Sequence, residues 1–106
     1  MENMETIRCY NLVNDKGNAL QLELGLGNQT QNEYPYEEKD NGYRWRFWGC
    51  NIPMPVRSGY WFNGFPESIM LDWLKGNGWY VQTRVNMQNG RAKVYELPKG
   101  NEEVRS

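Results

Sequence analysis

Residues Tyr43, Arg44, Trp45, Arg46, Phe47 and Trp48 alternate rings with guanidinium groups. Guanidinium groups bind phosphate and rings stack on bases. The run is therefore a candidate surface for a nucleotide or single-stranded nucleic acid, with Arg44 and Arg46 on phosphate and Trp48 under a base. A strand sends successive side chains to opposite faces. Tyr43, Trp45 and Phe47 then share a face expected to be core, and Arg44, Arg46 and Trp48 share the exposed one.

A second candidate lies between residues 51 and 65. Pro53 and Pro55 prevent regular pairing there, Gly59 and Gly64 punctuate the chain, and Arg57, Tyr60, Trp61, Phe62 and Phe65 fall between or beside them. Trp, Tyr and Arg carry most of the affinity of protein contact surfaces. The chain has five Trp, seven Tyr and three Phe in 106 residues. A domain of this size has a limited core, so some of these rings must line a surface.

The chain has no histidine. That removes Ser-His-Asp and Cys-His nucleophile systems and the usual zinc and iron sites. Cys9 and Cys50 are too few for a four-cysteine metal site and read as reduced, buried small residues. Glu33, Glu37, Glu38 and Asp40 form an acidic run without calcium-loop spacing, and a solvated loop is the ordinary reading. No spacing singles out a carboxylate pair for hydrolytic chemistry. Phosphate-loop, dinucleotide and RNA-recognition signatures are absent. The expectation is a protein that is not an enzyme, with no catalytic residues, cofactor or metal.

Formal net charge is −1, which argues against a partner held by bulk charge, whether nucleic acid or membrane. No stretch approaches the roughly 20 apolar residues of a membrane span. The polar, acidic N-terminal residues carry no apolar signal segment. Together these lead to the expectation of an intracellular, cytoplasmic protein, monomer or homodimer.

The elements that must position these residues follow from periodicity. Glu5 to Val13 and Ala19 to Leu26 alternate as two strands around a turn at Asn14, Asp15, Lys16 and Gly17, with Leu20, Leu22, Leu24 and Leu26 on one face. Tyr43 to Gly49 is a third strand, and part of Tyr60 to Asn63 is extended. Pro66 suits the first position of a helix whose apolar stripe is Ile69, Met70, Trp73 and Leu74, and Gly76 suits the left-handed residue after it. Trp79, Val81, Thr83, Val85 and Met87 form the inward, apolar face of a strand. Asn89 and Gly90 give a type I′ hairpin that pairs Met87 with Ala92, Val85 with Val94, Arg84 with Tyr95 and Asn86 with Lys93.

The fold class that results is α+β. It is a small single-layer antiparallel sheet of about five strands, in the order β-β-β-α-β-β, with one helix packed on one face. One domain is expected over 1–98 and a solvated tail over 99–106. The expected function is binding by protein–protein contact through the 51–65 loop, as an accessory protein or phage-encoded inhibitor would use. The nucleotide or nucleic-acid surface of Arg44, Arg46 and Trp48 is the alternative.

Overall fold

Leu20, Leu22 and Leu24 are buried in β2 (Ala19–Leu26), and they fix which side of the sheet is inside. The computed structural model describes residues 5–27, 32–34, 43–88 and 91–96. The other elements are β1 (Glu5–Asn14), β3 (Arg44–Trp48), β4 (Trp61–Asn63), α1 (Glu67–Gly76), β5 (Trp79–Gln88) and β6 (Arg91–Glu96). The sheet is antiparallel with strand order β4-β3-β2-β1-β5-β6. One helix covers one face, which is the α+β arrangement expected. Three-residue β4 is an addition to it, taken from the 51–65 segment.

The core lies on the face of the sheet that carries α1, and Ile52, Met54 and Val56 from the segment after β3 pack against it as well. Tyr10, Leu12, Trp45, Phe47, Phe62 and Trp79 join the three leucines, and α1 adds Met70 and Leu74. Residues 32–34 lie along β4. The Trp61 N–H donates to the Asn32 carbonyl at 2.8 Å, and the Tyr34 N–H donates to the Trp61 carbonyl at 2.8 Å. This segment covers backbone groups that an edge strand would otherwise leave open.

Two register shifts decide which side chains reach which face. On β1 the pairing with β2 shifts between Thr6 and Arg8. Between β1 and β5, Asn11 faces Thr83 but Leu12 faces Val81, so Gln82 is the extra residue of a bulge. Directly opposed residues share a face. Trp79 and Val81 therefore face α1, whereas Thr83, Val85 and Met87 turn to the other face. Arg84 and Asn86 come round beneath the helix. The β5–β6 pairing is the one the hairpin arithmetic requires. The expectation that all five alternating residues of β5 face inward fails, because the bulge inverts the alternation halfway. The Asn89–Gly90 turn lies outside the described residues, as does the 99–106 tail.

The helix also departs from expectation. Met70 and Leu74 are buried, but Ile69 and Trp73 are exposed. The Glu67 carboxylate explains the roll. It accepts from Arg8 Nη1 at 2.7 Å, from the Tyr10 hydroxyl, and lies 3.5 Å from Arg84 Nη1, all on the sheet. Residues 67, 70 and 74 fall on one line at i, i+3, i+7, so anchoring the first turns the other two inward. Pro66 is the cap residue, not the first helical one, with φ −54° and ψ 153°. Its carbonyl accepts from the N–H groups of Ile69 and Met70. Gly78, with φ 86°, supplies the left-handed residue, and Gly76 is still helical.

Candidate functional site

The face of the sheet away from α1 carries the arginine–tryptophan run. Trp61, Arg46, Glu23, Cys9 and Val85 form one cross-strand row over β4, β3, β2, β1 and β5. Glu23 Oε1 accepts from Arg46 Nε at 2.6 Å and from Trp48 Nε1 at 2.7 Å. Thr6 Oγ1 donates to the other carboxylate oxygen at 3.4 Å. The Arg46 guanidinium carbon lies 4.2 Å from the Trp61 ring centroid and 4.9 Å from that of Trp48. Arg46 therefore has its charge met by a carboxylate and its faces met by indoles. Trp48 stays 42% exposed, but its N–H is spent on Glu23 and Gly59 abuts its ring.

Arg44 was expected on the exposed side and is fully buried. Its Nε donates to Glu33 Oε1, and its Nη1 donates to the Tyr43 carbonyl at 3.1 Å. Glu33 is equally buried. The 32–34 segment that runs along β4 brings that carboxylate over Arg44, which is why an outward-pointing residue of β3 ends up inside. Glu33 is thus the one described member of the acidic run, and it serves an internal ion pair. Glu37, Glu38 and Asp40 lie outside the described residues.

The rings of the 51–65 segment separate into two groups. Trp61 and Phe62 are buried because they belong to β4: Phe62 stacks on Phe47 with ring centroids 5.9 Å apart, and Trp61 lies under Arg46. Neither is presented on a loop surface. Arg57 is exposed and lies 5.0 Å from the ring centroid of Tyr60, which is itself 5.7 Å from that of Tyr34. The Arg57 N–H donates to the Tyr34 hydroxyl at 3.2 Å. Phe65 is 48% exposed while its carbonyl accepts from the buried Trp45 Nε1 at 2.9 Å.

Immediately after Phe65, α1 turns Ile69 and Trp73 outward, 53% and 39% exposed. Sequence reasoning placed both in the core. A signal was available: a three-turn helix carrying Met70 with Leu74 and Ile69 with Trp73 has two adjacent i, i+4 lines, and a helix lying on a sheet buries a narrow stripe. The acidic residue one turn before Met70, with basic residues on the strands, would have identified the inner line.

The polar cluster under the start of α1 is a strut. Arg8 Nε also donates to Asn86 Oδ1 at 2.8 Å. Burial pushes the Tyr10 hydroxyl far above its ordinary value, and the hydrogen bond and charge of Glu67 push it further. A phenol whose pKa rises on folding stabilises the fold below the unfolded value of 10.0 and loses that contribution as pH rises beyond it. Stability is expected to fall above pH 10.0, and Tyr10→Phe is expected to flatten that alkaline slope. Urea titrations of both proteins at a series of alkaline pH values check this; parallel curves would rule it out.

Cys9 and Cys50 are free, but neither is fully buried as expected: Cys9 is half-buried on the outer face of β1, and Cys50 is exposed in the segment that follows β3. Burial raises the Cys9 thiol, and Glu23 adds to the rise while Arg46 opposes it. That is the opposite of the shift a nucleophilic cysteine needs. Among the described residues no group of His, Cys, Asp or Glu could hold a metal ion. No described helix is long and apolar enough to cross a membrane. The chain matches no protein-family model, no curated protein and no solved structure.

Proposed function

We propose that this protein works by protein–protein contact, through the outer side of α1 and the Phe65 entry to it. The observation that carries the reading is the exposure of Phe65, Ile69 and Trp73 within nine consecutive residues. Among the described residues, Met70 and Leu74 already fill the inner side of the helix, so the core does not draw on the other three. The three side chains offer roughly 300 Å² of exposed surface, about 100 Å² each. A standard interface takes roughly 800 Å² from each partner. The apolar residues are therefore the anchor, and polar neighbours such as Ser68 and Asp72 form the rim. Anchors one turn apart on a short helix suit a partner with an apolar groove.

The nucleotide reading draws less support. Its two guanidinium groups already face carboxylates, Arg44 on Glu33 and Arg46 on Glu23. A phosphate would have to displace an ion pair, one of them fully buried.

The test replaces Trp73 with a photo-crosslinking amino acid and, as control, Gln21 on the open face. Crosslinks to one discrete partner from position 73, lost when Ile69→Ser is added, are expected. Surface changes of this kind should shift stability by no more than about 0.5 kcal/mol. Equal crosslinking from both positions would end this reading. Quenching of tryptophan fluorescence by an oligonucleotide at low salt would favour the alternative.

A further inference from the structure

At one end of the sheet, three turns come together around a groove of about 480 Å³. That volume is in the range of small-molecule sites, about 300–1,000 Å³. The walls are the β1–β2 turn, the segment after β3, and the α1–β5 turn. Each contributes asparagine: Asn14 and Asn18 from the first, Asn51 from the second and Asn77 from the third.

The walls are built in advance of any ligand. Asn14 Oδ1 accepts from the N–H groups of Lys16 at 3.0 Å and Asn18 at 2.9 Å. The Gly17 N–H closes the same turn on the Asn14 carbonyl at 3.1 Å. Asn77 Nδ2 donates to the Trp73 carbonyl at 2.8 Å, and the Asn77 N–H donates to the Leu74 carbonyl at 2.9 Å. Asn51 holds a left-handed φ of 52°, alone among described residues other than glycine. Asparagine tolerates that conformation better than most residues.

The chemistry of the lining follows from what these bonds leave over. A side-chain amide has one oxygen acceptor and two N–H donors. With its oxygen used by its own turn, Asn14 has its NH₂ to present. With one N–H used by the helix end, Asn77 has its oxygen. Asp15 and Lys16 both line the groove and offset each other in charge. Ile52, Pro53 and Trp79 add apolar residues to the same lining. Amide donors and acceptors of zero net charge, together with apolar residues in one lining, match a ligand that carries hydroxyl groups on a C–H frame.

We propose that this groove binds a neutral carbohydrate, with the asparagine amides on its hydroxyls. The proposal does not depend on the contact reading of α1 and stands or falls separately. The test is saturation-transfer-difference NMR on the full chain with glucose, mannose and N-acetylglucosamine. About 10 mM sugar loads most of a site whose Kd is about 1 mM. Transfer to at least one of these sugars is expected. Asn51→Gly keeps a left-handed backbone while removing the amide, so it should weaken binding about tenfold with the melting temperature little changed. Asn18→Ala provides a second variant. Absence of transfer from all three sugars would overturn the proposal. So would transfer that both variants leave intact, or equal transfer to glucuronate, which would deny the neutral class.

Discussion

Arg44→Met is expected to lower stability by about 3–5 kcal/mol, the usual cost of removing one partner from a buried ion pair. Arg44 and Glu33 are both fully buried, and the guanidinium donates directly to the carboxylate. Methionine fills a similar volume but takes away the guanidinium that donates to the buried Glu33 carboxylate. The double change Arg44→Met with Glu33→Leu should recover most of the loss, because apolar replacement of both partners is often neutral or better. A small domain has about 5–15 kcal/mol in all, so the single variant should lose a large share of its stability. Urea denaturation of the three proteins gives the comparison. A loss under about 1 kcal/mol, typical of a solvated pair, would show that water reaches this one.

Gly64→Ala is the second change with a large expected effect. A β-carbon at Gly64 would overlap the indole of Trp45. That ring cannot move aside cheaply. It is fully buried, its N–H holds the Phe65 carbonyl, and its ring centroid lies 5.8 Å from that of Tyr10. Overfilling a packed core costs about 1–3 kcal/mol and occasionally more, and this site should be at or above the top of that range. Trp45→Ala alone should cost about 3–5 kcal/mol by leaving a cavity. In the double variant the methyl enters space that the ring has vacated, so the two losses should sum to less than additive. Thermal melts of the four proteins complete the cycle. Strict additivity would mean that Gly64 and Trp45 do not meet.

Much of the sheet was legible because its signals are local. Leu20, Leu22 and Leu24 alternate without interruption, and Gly17 takes the left-handed φ of 86° that its turn position demanded. The β5–β6 register follows from counting outward from two turn residues. What escaped the sequence depends on contacts between distant segments. Gln82 looks like any other outward residue of an alternating strand, yet the bulge there carries Val85 and Met87 away from the helix. The roll of α1 is set by Glu67 reaching Arg8 and Tyr10, which are 59 and 57 residues away. Arg44 was legible as outward-pointing, and it is. Its burial comes from the 32–34 segment folding over that face, which no periodicity within β3 encodes. Of the candidate contact residues, Phe65 and Arg57 lie on the surface, and Trp61 and Phe62 do not, because three residues of an apparently irregular stretch pair with β3.

The central place of β1 in the sheet has a consequence during synthesis. One flank of β1 meets β2 as soon as the first turn closes. The other flank waits for β5, and Arg8 reaches Asn86 only across 78 residues of chain. At about 5–20 residues per second, the ribosome takes roughly 4–16 s to deliver that partner. In that interval the nascent chain carries an open strand edge. Arg8 on it is a charged side chain of the kind that discourages pairing with a neighbouring chain. Arg8, which later anchors the helix through Glu67 and bridges to Asn86, thus has an earlier use as a charge on the edge of an unfinished sheet.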